Sequence, residues 1–241
     1  MTEAERQRII RLKLCRLADR PGPPLEAISS GFAAIDVALG IGGFPRGRIV
    51  EISGPEACGK TTLGLRAIAE VQRRGGTAAL IDADRTFDAR RAAALGVQLE
   101  SLVIAAPEWG EQALEIVRSL ASSGAVDLIV VDSAAALVPK LELETSLEAA
   151  SPGLHAAVLS RALRRLAPAA ARTGTCVLFL NQLRSAAPGE AGETTAGGRA
   201  LKTYAAVRAE LRPVASPAKV RFRVLKNKFA AAPAETEVEI R

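Results

Sequence analysis

Aromatic side chains are scarce: one tryptophan, one tyrosine and six phenylalanines make up 3% of 241 residues. Stacking of bases on aromatic rings is therefore weakly supported as a source of affinity for single-stranded nucleic acid, and backbone electrostatics would have to dominate. Cysteine is scarce too. Cys15, Cys58 and Cys176 are odd in number and widely spaced, which matches neither a disulfide framework nor a zinc pattern. The single histidine, His155, opens a long helical stretch with no cysteine or histidine near it, so it reads as a packing or surface residue. No apolar run approaches the ~18 residues of a membrane span. The opening residues MTEAERQRIIRLK hold Glu3 and Glu5 and lack an apolar core, unlike a signal or transit peptide. The expectation is a cytoplasmic protein with no membrane partner.

What is abundant is positive charge, and it is unevenly placed. The net charge is +6, but residues 161–241 carry fifteen basic and six acidic groups. A basic last third behind an acidic middle is the footprint of a polyanion-binding face, unless it is simply a solvated surface. The run Glu142, Glu144, Glu148 reads as a solvated face, a poor place for DNA and a fit for a basic partner.

Residues 1–24 form one unit. Ile9, Ile10, Leu12, Leu14 and Leu17 interleave with Arg6, Arg8, Arg11, Lys13 and Arg16 at helical spacing, and Asp19-Arg-Pro-Gly-Pro-Pro24 ends the pattern. This helix must bury its apolar side either on its own core or on a neighbouring subunit. Residues 25–241 form the second unit. Strands are expected at 49–53, 77–82, 102–104, 127–132 and 175–180, with helices at 60–74, 89–95, 111–122 and 153–172 between them. That alternation gives an α/β fold with a mainly parallel central sheet and helices on both faces. Apolar segments near 205–212, 219–226 and 235–240 read as antiparallel strands closing one edge. Residues 185–198, rich in Ala, Gly, Pro and Thr without period, read as a mobile loop. Trp109 and Tyr204 read as partial core anchors.

The sequence Gly54-Pro55-Glu56-Ala57-Cys58-Gly59-Lys60-Thr61 fits G-x-x-x-x-G-K-[ST] between a β-branched strand and a helix, the context that marks a P-loop. Its glycines let backbone N–H groups wrap phosphate oxygens, and the helix N-terminus adds a favourable dipole. Lys60 supplies a point charge to the terminal phosphates of ATP, and the Thr61 hydroxyl can ligate Mg²⁺. The apolar strand Leu128-Ile-Val-Val-Asp132 ends in a carboxylate suited to align the metal or its water. Asp82 and Asp84, two apart, share a face if the segment is extended. One of them can activate water within hydrogen-bond reach, while capping or turn roles are the competing reading for each. Cys58 sits inside the loop and reads as a small packed residue.

Several segments together resemble the RecA recombinase family: GPEACGKTTL, LIDADRTFD, GEQALEI, SGAVDLIVVDSAAALVPK, FLNQLR, ETTAGGRALKTYAAVR and LKNKFAA. The likeness runs from about residue 25 to 241 in family order. It implies a RecA-type fold, an ATP site that includes Thr62, and Asp84 where the family places its water-activating glutamate. Gln182 falls on the glutamine that senses the γ-phosphate and couples it to the DNA-binding loop. Asp88 and Arg91 fall near the adenine, with Arg91 in place of a stacking tyrosine. Lys226 and Lys228 fall on the lysines that reach the ATP of an adjacent subunit. Gly153 borders the first DNA-binding loop, and the second, opening at Arg184, brings Gly197, Gly198 and Arg199 to DNA.

The departures from that pattern carry their own expectations. Asp84 is one methylene shorter than glutamate, which weakens a catalysis sensitive to ~1 Å of misplacement. The second loop is shorter and lacks the family's aromatic, and Pro152 replaces a wedging methionine in the first. The strand that joins one RecA subunit to the next is not recognisable before Leu25, and the chain stops where the family's ATPase core stops. Shortened proteins of this kind resemble the ImuA accessories of translesion synthesis. Two functions follow. One is an ATP-binding accessory that regulates RecA or a translesion polymerase-like protein in the SOS response, with weak hydrolysis. The other is a minimal DNA-dependent ATPase that forms homo-oligomeric filaments on single-stranded DNA.

Overall fold

From residue 49 onward the chain repeatedly spells a short run of branched apolar residues followed by an amphipathic stretch, and each run becomes a strand and each stretch a helix. The computed structural model describes residues 25–146, 153–185, 192–216, 218–231 and 234–240. The expected helix at 1–24, with Cys15, lies outside them, as do Glu148 and Pro152.

The chain begins with β1 (Ala27–Ile28), α1 (Ala33–Ala38) and β2 (Phe44–Pro45), with β1 and β2 paired as a small separate sheet. It continues through β3 (Ile49–Gly54), α2 (Lys60–Arg73), β4 (Ala78–Asp82), α3 (Ala89–Ala94) and β5 (Val103–Ala105). Then come α4 (Gly110–Ser123), β6 (Leu128–Asp132), α5 (Lys140–Glu144), α6 (Leu154–Thr173) and β7 (Cys176–Ser185). The last third supplies β8 (Glu193–Thr195), α7 (Ala200–Tyr204), β9 (Val207–Pro213), β10 (Lys219–Asn227) and β11 (Glu235–Glu239).

Nine strands form one sheet in the order β5-β4-β6-β7-β3-β9-β10-β11, with β8 added to β7. Pairing is parallel from β5 through to β9 and antiparallel from β9 through β10 to β11. The α/β expectation and the antiparallel edge both hold. Strand residues alternate between two cores. Val50, Ile52, Leu128, Val130, Leu178 and Leu180 face one core with α2 and α3, while Ile49, Ile129, Val131, Val177 and Phe179 face the other with α4, α6 and α7. Covering both faces is why these strands read as nearly continuous apolar runs. Leu63 of α2 is fully buried in the first core. Its burial contributes about 1.5–3 kcal/mol, and Leu63→Ala would cost about 2–5 kcal/mol.

Two expectations need correction. The stretch 185–198 is not wholly a loop: β8 pairs antiparallel with the end of β7, Arg184 opposite Thr194, so β7 continues five residues past its expected end at 180. The three-residue strand was masked by its small and glycine-rich neighbours. Second, Asp82 and Asp84 do not share a strand face. β4 ends at Asp82, whose carboxylate accepts hydrogen bonds from the Thr86 and Phe87 amides and so closes a turn. Tyr204 and Trp109 are both partly buried, and the Lys140 ammonium lies over the Trp109 ring.

Candidate nucleotide-binding site

Parallel register sets the site. Asp82 lies opposite Asp132 across β4 and β6, and Ser53 and Gly54 lie opposite Asn181 and Gln182 across β3 and β7. Four strands thus bring polar residues to one edge of the sheet, the carboxyl edge where open α/β sheets bind ligands. The loop after β3 turns back through left-handed backbone at Ala57 (φ 55°) and Gly59 (φ 90°) into the first turn of α2. Gly54 has no room for a side chain: a Cβ there would lie 2.5 Å from the Leu211 carbonyl oxygen and 2.6 Å from Cys58 Sγ.

Lys60 is buried, and its Nζ donates to the Gly54 and Pro55 carbonyls at 3.1 and 2.5 Å. Its charge therefore sits inside the cradle formed by the loop. The Thr61 hydroxyl donates to Asp132 Oδ2 at 2.7 Å, which places two hard oxygen donors side by side. That donor set suits Mg²⁺, which binds through one or two protein oxygens and completes its shell with phosphate and water. Burial pushes the Asp132 carboxyl above the usual carboxylate range. The Thr61 hydroxyl opposes this, the neighbouring Asp84 adds to it, Lys60 opposes, and Asp82 adds again.

Asp84 stands beside this pair, its Oδ1 accepting from the Ser133 hydroxyl at 3.1 Å and the Ser133 amide at 3.3 Å. Asp88 caps α3, accepting from the Arg90 and Arg91 amides, so the capping role is visible for it. Arg91 Nη2 donates to Thr62 Oγ1 at 2.7 Å. Arg91 joins Lys60, Thr62, Lys219, Val220 and Ile240 around a cavity of about 340 Å³ that opens onto the phosphate loop. Glu56 and Ala57 are exposed on the loop, and Cys58 is buried behind it, its thiol raised by burial and partly restored by Lys60. Cys176 is core, with burial pushing its thiol up to about 12.

The structure does not bring Lys226 and Lys228 to this cavity. Lys226 lies seven residues along β10 from Lys219, roughly 23 Å at ~3.3 Å per residue, and its Nζ donates to the Lys202 and Thr203 carbonyls. Arg184 is exposed at the end of β7, and Gly197, Gly198 and Arg199 link β8 to α7. A side chain at Gly197 would be strained: φ is 81° and a Cβ would lie 2.3 Å from Leu159 Cδ1. Gly153 caps the start of α6 with φ 82°.

Sequence reasoning passed over one group. Glu51, on β3 behind the loop, is fully buried; it pairs with Arg208 at 2.5 Å and accepts from Asn181 Nδ2 at 2.8 Å. The available signal was a lone acid in the apolar strand 49–53, since a buried charge needs a partner.

A glycine loop between strand and helix, a buried lysine in its cradle, and a strand-end carboxylate holding the loop's threonine define a P-loop protein of the α/β class. The chain belongs to the RecA family: residues 5–241 match the RecA N-terminal domain. It is 50% identical over 236 residues to Protein RecA of Thermus thermophilus, an alignment spanning 93% of this chain and 69% of that one. It is 49% identical over 237 residues to Protein RecA of Brevibacillus brevis, spanning 94% and 67%. Against Protein RecA of Levilactobacillus brevis it is 48% identical over 237 residues, spanning 94% and 63%. These relatives bear out the RecA resemblance; they do not extend to the likeness to ImuA. Among the described residues no helix is long and apolar enough to cross a membrane.

Proposed function

We propose that this chain binds ATP with Mg²⁺ through Lys60, Thr61 and Asp132, and uses the nucleotide to control binding of single-stranded DNA by the hairpin of β7 and β8. It turns ATP over slowly, and it serves DNA repair and the SOS response as an accessory to RecA or a translesion polymerase-like protein. The observation that carries slow turnover is Asp84. A water attacking the γ-phosphorus must pass its proton to a base as the bond to the β-phosphate oxygen breaks. Asp84 is the carboxylate beside the Thr61–Asp132 pair, yet it is a short side chain and its Oδ1 is already engaged by Ser133. A protein that holds ATP longer than it cleaves it suits regulation better than repeated strand exchange.

The placement of Lys226 favours a second reading, a minimal DNA-dependent ATPase that assembles head to tail. These lysines stand away from the chain's own cavity, as a contribution to a neighbour's site requires. A mixing experiment separates the two. Lys60→Ala protein combined with the Lys226→Ala, Lys228→Ala protein regains ATPase activity if one interface can unite an intact loop with an intact lysine pair. The accessory reading expects the mixture to stay as inert as its parts, and activity per subunit to be flat with concentration. Restored, concentration-dependent and DNA-stimulated hydrolysis would overturn it.

A further inference from the structure

The cavity of about 340 Å³ beside the phosphate loop has two ends of different character. The loop itself, with Lys60 and Thr61, forms one, and in the reading above that end takes the phosphates. Ribose and base must then extend toward the other end, where Arg91, Ser216 and Lys219 stand beside the apolar Val214, Val220 and Ile240. Ile240 packs directly on the loop: a Cβ on Gly59 would lie 2.5 Å from its Cγ2. The composition of this second end decides which base fits. Among the described residues no aromatic ring and no carboxylate lines the cavity. Glu239, although opposite Lys219 in the β10–β11 register, is not part of its wall.

Stacking on a ring is thus not offered there, and both charged side chains at that end are hydrogen-bond donors without acceptor atoms. Arg91 is set at the start of α3 by the Asp88 cap, and its Nη2 donates to Thr62 Oγ1 at 2.7 Å. A guanidinium carries five N–H donors in a planar fork, so most of the fork is left for a ligand. Adenine and guanine differ on the edge such a fork meets. Guanine presents two acceptors, O6 and N7, which an arginine binds bidentately, whereas adenine presents N7 beside its N6 amino donors. An amino group set against Arg91 and Lys219 leaves donors facing donors, and a mismatch of that kind discriminates between ligands. A 6-oxo group in the same place is matched.

We propose that Arg91 is a specificity-determining residue that reads the purine edge at O6 and N7, so that this protein takes guanine nucleotides at its phosphate loop at least as tightly as adenine nucleotides. This rests on the nucleotide reading above. Arg91→Lys tests it, because lysine keeps the charge and removes the planar fork. Arg91→Glu is the reciprocal variant, since a carboxylate offers acceptors to the N6 amino group of adenine and none of the donors that O6 requires. Arg91 is exposed, so neither variant removes core packing.

The measurement is calorimetric titration of the full chain with Mg²⁺ and each of ADP, GDP and inosine diphosphate, which carry the bases without turnover during the titration. Inosine shares O6 and N7 with guanine but lacks its 2-amino group, so the wild type should bind the inosine nucleotide as it binds GDP, and both at least as tightly as ADP. A bidentate contact to a base discriminates by about 5- to 150-fold, and the low end applies to an exposed arginine. Arg91→Lys should therefore weaken GDP and inosine diphosphate by about 5- to 10-fold and ADP by less than about twofold. In Arg91→Glu the ratio of the two affinities should turn in favour of ADP. Wild-type protein that binds ADP more tightly than GDP overturns the proposal and leaves the nucleotide reading standing. So does an Arg91→Lys protein that loses the same factor for all three, because the guanidinium would then meet the phosphates or the face of the base. Failure of the wild type to bind any of the three brings down the nucleotide reading, and this proposal with it.

Discussion

Lengthening one side chain should speed this protein up. Asp84→Glu adds a methylene, about 1.5 Å of reach, to the carboxylate that stands beside Asp132 and is now held to Ser133 at 3.1 and 3.3 Å. Misplacement by ~1 Å costs about 100-fold in rate, so restoring the reach should raise turnover by up to about 100-fold, or ~2.7 kcal/mol at 1.36 kcal/mol per decade. Neither Lys60 nor Thr61 bonds to Asp84 among the contacts described, so nucleotide affinity should be unchanged. A coupled assay of phosphate release at saturating Mg²⁺–ATP, with and without single-stranded DNA, measures the rate, and calorimetry measures affinity. Asp84→Asn, which removes the base but keeps the shape, should abolish the residual rate. Turnover of Asp84→Glu at or below the wild-type level with affinity intact, or full turnover in Asp84→Asn, would refute the assignment of the base.

Two further expectations test the rest of the surface. DNA binding should weaken with salt along a log–log slope of about −0.7 per neutralised phosphate on single strands, and Arg184→Glu should flatten the slope; anisotropy titrations showing salt-insensitive binding would exclude the electrostatic face. Gly197→Ala forces a left-handed backbone at about 1–2 kcal/mol and crowds Leu159 at about 1–3 kcal/mol, so the thermal midpoint should fall by roughly 5–15 °C with nucleotide affinity retained; an unchanged midpoint would mean the link between β8 and α7 does not pack as described.

The parts legible in the sequence are those whose cause is local. The phosphate loop is a fixed spacing of glycines and lysine between a strand and a helix, and strands such as Leu128–Asp132 announce themselves because both faces are buried. Where the cause lies far along the chain, the reading failed or stopped short. Glu51 meets Asn181 and Arg208 across 130 and 157 residues, and only sheet register makes them neighbours. β8 is three residues long and exists because β7 offers it an edge, not because its own sequence insists on a strand. Asp82 and Asp84 looked equivalent two apart, but β4 ends at Asp82, which turned one into a loop closure and left the other hydrogen-bonded to Ser133, next to Asp132.

The charge of the last third also changes meaning once register is known. Fifteen basic residues over 161–241 suggested a broad polyanion-binding face. Arg208, Arg212 and Arg221 are instead paired with Glu51, with Glu193 and Glu210, and with Glu237, so they hold the sheet edge together and offer little field to a ligand. Among the described residues Arg184, Lys202, Lys226 and Lys228 form no ion pair, and three of them are joined through backbone and hydroxyl groups. Thr194 lies opposite Arg184 and accepts from Lys202 Nζ at 3.1 Å, while the Lys202 carbonyl accepts from Lys226 Nζ at 2.9 Å. Arg184, Lys202 and Lys226 thus form one line of charge running from β7 past α7 to β10, while Arg161, Arg164, Arg165, Arg172, Arg199, Lys219 and Arg223 also form no ion pair among the described residues. Burial, together with the like charges of Lys228 and Arg208, holds the Lys226 ammonium below its usual range, which favours a partner that brings negative charge to it. A DNA backbone along this line of charge and a phosphate presented by a neighbouring subunit both meet that demand. Because one polar chain links Thr194, Lys202 and Lys226, a ligand that shifts Lys202 should alter DNA affinity and the presentation of Lys226 together, whichever of the two assemblies the protein uses.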